Sequence, residues 1–424
     1  MKKTSVFLIA ILALSILTAV PVISAEAPWL DGWSKRELFY YSSSTATTDY
    51  QGSLTVINDT GFNADNTFYM YNETLAAFDD IRVTKNDGTT LLPIWNQTTH
   101  YSLNCTFWVK FPVVNASYFL YWNNLDASNV WNSSTVFIDV IGGVVGAWNM
   151  EEANALNNVA DYSGNNFTGT PTGTTVVAGK FTGKNARHIN GLGDIITVNH
   201  NATLSLAATD FTITAWVKYS VGDWSILWKG ESTYAAAGTG YEFHIESGIK
   251  KVRFGINNGV GAAVSTYSAD ISALWGNYLF IVITADRDGN AQIYVNNVAS
   301  GAAVNIAAKA DISNAANLLI GKYGATNDEH FECSGINLFN SLLSEAQRAN
   351  LYNNYGDVTL EYGKVLVRNY VYPTPSISLF GSVESVPDTQ IYATPGYVTG
   401  IIFLGIFIIA PMALIFFTFI KRRR

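Results

Sequence analysis

Short runs in which apolar and polar residues alternate one by one constrain this 424-residue chain more than any other feature. In 105–111, Cys105, Phe107, Val109 and Phe111 share one face, with Thr106, Trp108 and Lys110 opposite. In 211–218, Phe211, Ile213, Ala215 and Val217 alternate with Thr212, Thr214, Trp216 and Lys218. In 241–246, Tyr241, Phe243 and Ile245 alternate with Glu242, His244 and Glu246. A period of two fits a strand with one buried face. Turn signals stand between the runs: Asn86-Asp87-Gly88, Ser247-Gly248 and Asp288-Gly289-Asn290. Only Ser344 to Asn353 reads as a soluble helix, with Ser344 as N-cap and Gln347 completing a capping box. Many short strands punctuated by turns predict an all-β protein.

The two ends set the topology. Lys2 and Lys3 precede an almost wholly apolar run, Val6 to Val20, and Ser24-Ala25 offers small residues for cleavage. Residues 1–25 therefore read as a secretory signal peptide, an uncleaved anchor helix being the alternative. Val398 to Ile420 carries no charge and is long enough to cross a bilayer as a helix, even with Pro411 inside it. Lys421 and Arg422–Arg424 follow, and such a basic end stays on the cytoplasmic side. The expected product is a single-pass protein of the cell membrane, or of a virion envelope, with its bulk outside. Residues 373–396 hold four prolines among Ser and Thr, which predicts a semi-extended stalk.

The stretch between the two ends is strongly acidic, since the ends hold only basic charges and the whole chain is already at −8. An acidic surface argues against a nucleic-acid partner and offers oxygen ligands to cations. Two cysteines exclude a disulfide-stapled scaffold. Cys105 fits an inert buried thiol, and a Cys105–Cys333 bridge stays open, because sequence cannot establish the separation it needs. Asn58, Asn72, Asn96, Asn104, Asn115, Asn132, Asn166 and Asn201 head N-glycosylation sequons, all in the first half of the chain. Asn104 abuts a strand and is set aside; the other seven are candidate sites. Trp224, Trp228, Tyr234 and Tyr241 fall in and beside an expected loop over one sheet edge, where exposed aromatic rings would stack on a sugar. The alternative is that Trp228 and Tyr241 fill the core.

Two resemblances organise the outer part. Val144-Val-Gly-Ala-Trp-Asn-Met-Glu-Glu152, Asp161-Tyr-Ser-Gly-Asn165, Phe211-Thr-Ile-Thr-Ala-Trp-Val-Lys218 and Gln292-Ile-Tyr-Val-Asn-Asn297 follow in order. With Leu318-Leu-Ile-Gly321 and Leu338–Glu345 they make residues 142–357 resemble the concanavalin A-like, laminin-G type jelly roll. Trp33-Ser-Lys-Arg36, Phe78-Asp-Asp-Ile-Arg82, Phe107–Pro112 and Tyr121-Trp-Asn-Asn124 make residues 26–141 similar to the domain-of-unknown-function 2341 family, found beside such jelly rolls in archaeal and bacterial surface proteins. Gly363–Tyr370 resembles that family's last strand, so the jelly roll is expected as an insertion before it, a separate stalk strand being the alternative. The expected plan is a signal (1–25), a β-sandwich (26–141), a jelly roll (142–357), a returning strand and stalk (358–397), a membrane helix (398–420) and a basic tail (421–424).

The first resemblance implies that Glu152 and Asp161 are neighbours at one end of the sandwich with Asn165 close by, a set that suits Ca²⁺. The alternative is that Asp161 caps its own turn. Calcium is thus the candidate cofactor. Related glucanases carry a Glu-x-Asp-x-x-Glu strand, and no Glu here is followed by Asp two places on. Glu242 and Glu246 share a strand face about 13 Å apart by strand rise, too far for a retaining pair, and read as a solvated face. No catalytic residue is expected. The leading expectation is a membrane-anchored recognition or adhesion protein binding a glycan or a surface protein. The alternatives are a structural envelope glycoprotein without a ligand pocket and a glycoside hydrolase with displaced carboxylates.

Overall fold

The computed structural model describes residues 26–97, 103–191, 193–219, 224–230, 238–322 and 330–386. The expected signal, membrane helix and basic tail lie outside them. Among the described residues no helix is long and apolar enough to cross a membrane. The structure is 47% strand and 6% helical, with the ladders antiparallel save one short parallel pair, so the all-β expectation holds.

The alternating runs become strands with the predicted faces. Asn104–Val113 buries Cys105, Phe107, Val109 and Phe111 in the core of a first sandwich. That sandwich packs a sheet ordered Ser376–Ser385, Lys35–Ser42, Ala116–Trp122, Arg82–Lys85 on one ordered Thr67–Tyr69, Thr48–Ile57, Asn104–Val113, Ile94–Asn96. Phe39, Tyr41, Phe111 and Tyr118 fill the space between the sheets, with Tyr41 and Phe111 stacked at 4.2 Å. Aromatic pairs of this kind add to simple burial.

The second sandwich has a seven-stranded and a nine-stranded sheet. Phe211–Tyr219 lies between Tyr278–Ala285 and His330–Phe339 in the larger one. Trp224–Gly230, Thr239–Glu246 and Lys251–Asn258 are neighbours in the smaller one. Phe211, Ile213, Val217, Tyr241, Phe243 and Ile245 all point into the shared core. Glu345–Asn353 is a helix, and Ser344 and Gln347 form the reciprocal capping box.

A three-stranded sheet joins the sandwiches. Val365–Arg368 pairs with Asp139–Ile141 on one side and Tyr355–Asp357 on the other. Alternation along it splits its loyalties. Val365 and Val367 pack toward the jelly roll with Phe280 and Leu351, while Leu366 packs toward Trp108 and Phe137 of the first sandwich.

Two expectations change here. Gly363–Tyr370 does not close the first sandwich; its core strand belongs to the joining sheet. The strand that returns is Ser376–Ser385, inside the expected stalk, and it runs antiparallel to Lys35–Ser42 from Ser376↔Ser42 to Lys35↔Ser385. Two register shifts and Gly381 break its alternation, so its strand character is weak in sequence.

Candidate functional site

The outward side chains of the nine-stranded sheet line a partly open cleft of about 460 Å³, counted out to solvent. Its position follows from one irregularity in a ladder. Along Phe211–Tyr219 and His330–Phe339 the register runs Ala215↔Ile336 and then Val217↔Cys333. Trp216 therefore faces a bulge formed by Ser334 and Gly335. Gly335 has φ +116, a conformation that a side chain resists. The bulge parts the ladder and leaves a hollow beside the Trp216 ring.

Elements far apart in sequence wall this hollow. The helix brings Tyr352 parallel to Trp216 at 6.0 Å, and the turn after Gly179 brings Phe181 edge-on to Trp216 at 6.0 Å and to Tyr355 at 5.0 Å. The polar rim comes from Asn149, Glu151, Thr214, Ser334 and Asn337. Glu151 is held in place, accepting from the Tyr355 hydroxyl at 2.8 Å and from Lys184 Nζ at 2.8 Å. Burial, with the Asp357 and Glu151 charges after it, raises the Tyr355 phenol above its ordinary range, so Tyr355 stays a donor. An aromatic wall with amides, hydroxyls and one fixed carboxylate at its rim can take the C–H faces and hydroxyls of a sugar.

Of the aromatic group picked out from sequence, Trp224, Trp228 and Tyr241 lie on strands of the other sheet. Tyr241 is 1% exposed in the core and donates to the Leu204 carbonyl at 2.7 Å, which is the core-filling alternative. Trp228 is half-buried on the outer face. Trp224 begins its strand, Trp224–Gly230, and Tyr234 lies outside the described residues. The missed signal was Trp216, a large aromatic on the polar side of an alternating strand.

The expected solvated face of Glu242, His244 and Glu246 is not solvated. Glu242 is 0% exposed and faces Arg253 Nη2 at 3.3 Å and His244 Nδ1 at 3.6 Å. Strand alternation tells which residues share a side but not what covers that side. Burial raises the Glu242 carboxyl above its ordinary range. Glu246 is lowered, first by the hydrogen bond from His244 and then by the one from Arg253. The two carboxylates are bound into one charged cluster with Arg253 and His244.

The candidate calcium residues are also engaged. Asp161 Oδ1 accepts from the backbone N–H groups of Ala147 and Ser163 at 2.9 Å each. Its Oδ2 accepts from the Ser163 hydroxyl and the Phe167 N–H at 2.8 Å each. Asn165 donates to the Val145 carbonyl at 3.1 Å, and Glu152 accepts from Ala160 N–H at 3.0 Å and pairs with buried Arg187. Asp161 thus braces its own turn. Among the described residues no group of three or more His, Cys, Asp or Glu side chains is placed to hold a metal ion.

Both cysteines are buried free thiols in different cores. Burial pushes the Cys333 thiol up to about 12. Among the sequon asparagines, Asn72, Asn115, Asn132, Asn166 and Asn201 are exposed, whereas Asn58 and Asn96 are half-buried. Asn58 donates to the Thr74 carbonyl at 3.4 Å, and Asn96 accepts from the Cys105 thiol.

The family profile described as the concanavalin A-like lectin/glucanases superfamily (Laminin_G_3) matches residues 190–347. No curated protein matches the chain. Among solved structures, the binding domain of Paraclostridial Mosquitocidal Protein 1 is 16% identical with a TM-score of 0.42, covering 52% of this chain and 55% of that one. The botulinum neurotoxin serotype D binding domain is 16% identical with a TM-score of 0.40, covering 50% of each chain. The binding domain of botulinum neurotoxin DC, in complex with rat synaptotagmin II, is 16% identical with a TM-score of 0.39, covering 52% of each. The chain thus spans about half the length of the structures it resembles.

Proposed function

We propose that this chain is a membrane-anchored surface recognition protein whose jelly roll takes a glycan in the cleft beside Trp216. It acts by binding and carries out no reaction. One observation carries this reading: the ladder bulge at Ser334–Gly335 opens a hollow where an aromatic wall meets amide, hydroxyl and carboxylate groups. The lectin-type family profile over residues 190–347 supports it. So do the apolar runs at the two ends of the sequence, which argue for export and for a single C-terminal anchor, at a cell surface or a virion envelope.

A structural envelope protein without a ligand is the second reading. It is favoured by the three-stranded sheet that locks the two sandwiches together as a spacer. The full chain in detergent, applied to a glycan array with and without Ca²⁺, separates the two. Binding to a defined glycan class, lost on Trp216→Ala, is the expected result. Binding to nothing in either condition favours the spacer.

A further inference from the structure

The strand directions of the first sandwich gather one set of loops at the end from which the chain leaves. Lys35 pairs with both Ser385 and Trp122, and Ile57 pairs with both Tyr69 and Asn104. The loops 58–66, 70–81 and 123–132 and the exit beyond Ser385 therefore lie at or beside a common end. Hydrogen bonds tie them together. Asn58 N–H donates to the Leu103 carbonyl at 2.8 Å, Tyr71 N–H to the Asp59 carbonyl at 2.9 Å, and Ser34 N–H to the Asn123 carbonyl at 3.4 Å. The joining sheet packs on an outer face of the sandwich through Leu366 and Trp108, and beyond it Asn369 donates to the Thr48 and Asp49 carbonyls at the opposite end.

Large apolar side chains stand out from the exit end. Phe62 is 94% exposed, Leu125 78%, Leu103 66% and Tyr71 45%. Phe62 is presented on a fixed loop. Its neighbour Asn63 donates to both Glu37 oxygens, at 2.9 and 2.7 Å, and accepts from Tyr69 N–H at 2.8 Å. Separate exposed apolar residues are ordinary on a protein surface; several on tied loops at one end call for a partner.

The length of chain beyond this end identifies that partner. Because Ser376–Ser385 is a strand of the sandwich, only residues 387–397 separate the described structure from the uncharged run 398–420. Fully extended, such a segment reaches about 40 Å, and as a flexible coil roughly half of that. The exit end is thus the part of the molecule closest to the bilayer in which that run is expected to sit. Asp31, Asp59 and Asp126 are exposed around it, and Lys35 is paired with Glu73 at 3.5 Å, so a surface of uncharged lipid suits it better than an anionic one.

We propose that the first sandwich seats directly on the membrane through this end, with Phe62, Leu103 and Leu125 entering the headgroup region and Tyr71 at its rim. Aromatic and aliphatic tips of this kind are at home at that depth. The proposal rests on the anchor reading above. It also changes one glycosylation expectation: a glycan on Asn72, beside Tyr71, and a seated end exclude each other, so Asn72 stays unmodified.

Site-directed spin labelling of the full chain in phosphatidylcholine vesicles tests this. Cys105 and Cys333 are buried, so an introduced thiol takes the label. Phe62→Cys and Leu125→Cys are compared with Val298→Cys, which is 68% exposed on the jelly roll. The expected result is an oxygen-to-nickel-chelate accessibility ratio several-fold higher at 62 and 125 than at 298, reduced when phosphatidylglycerol is added. A ratio at 62 and 125 equal to that at 298, in chain that resists alkaline carbonate extraction, overturns the seat and leaves the anchor standing. Extraction of the chain by carbonate overturns the anchor and the seat with it. Shielding of 62 from both reagents, growing with protein density, means a second copy covers the site and overturns the proposal. A glycan found on Asn72 by peptide mass spectrometry also overturns it.

Discussion

The two outer faces of the jelly roll solve the same problem in opposite ways. Each presents a row of outward side chains from a sheet whose inner row fills one common core. On the seven-stranded sheet the row closes on itself: Glu242, His244, Glu246 and Arg253 answer one another's charges, and Glu242 is sealed from water. On the nine-stranded sheet a bulge interrupts the row, and the polar groups around Trp216 border a hollow instead of a partner strand. On the seven-stranded sheet the ladder of Thr239–Glu246 with Lys251–Asn258 runs unbroken beneath the charged cluster, whereas on the nine-stranded sheet the bulge at Ser334–Gly335 opens a hollow at the surface.

The comparison is most easily broken at Arg253. Arg253→Met removes the cation at 3.3 Å from Glu242 and leaves a buried carboxylate facing only His244. We expect a loss of about 3 kcal/mol in urea unfolding, largely restored by adding Glu242→Gln, because the penalty is the stranded charge. An Arg253→Met chain as stable as the parent at neutral pH removes the distinction between the faces.

The next effect belongs to the open face. Trp216→Ala is expected to weaken binding of whichever glycan the array identifies by about tenfold or more, some 1.4 kcal/mol, measured by titration calorimetry. Trp228→Ala on the closed face should leave affinity within about twofold. The reverse order of effects moves the site to the seven-stranded sheet.

The smallest effect is the response to pH, where two neighbours act in different windows. Glu242, raised by burial above an ordinary 4.5, contributes stability that is whole below 4.5 and lost as pH rises through its folded value. Glu246, lowered by His244 and Arg253, contributes stability that is whole above 4.5 and lost as pH falls through its folded value. The closed face should therefore be most stable near about pH 4.5 and lose stability on both sides of it in unfolding measurements from about pH 3 to 8. Glu242→Gln should leave only the acid-side loss due to Glu246. An unchanged profile in that variant sets Glu242 outside the balance.

Much of this was legible in the sequence because strands write their faces in every second residue. Phe107, Ile213 and Phe243 point where alternation places them, and Ser344 and Gln347 cap the helix their spacing predicts. Three things were not legible, each for its own reason. Ser376–Ser385 hides its pattern behind two register shifts and Gly381, beside prolines that suggest a stalk. The burial of Glu242 depends on what lies over a sheet, which alternation does not encode. The cleft draws Glu151, Phe181, Trp216, Gly335 and Tyr355 from five distant stretches, so no spacing announces it. Asp161, by contrast, kept the local role its short turn allows.

The path of the chain through Ser376–Ser385 has a mechanical consequence. That strand lies on the backbone line from the jelly roll to everything beyond Val386, while the rest of the first sandwich is attached to it sideways through Lys35–Ser42. When the jelly roll is pulled and the chain beyond Val386 is held, tension runs along the covalent backbone of this one strand. The remainder of the sandwich carries little of the load and stays folded under a pull that would strain a domain threaded in series.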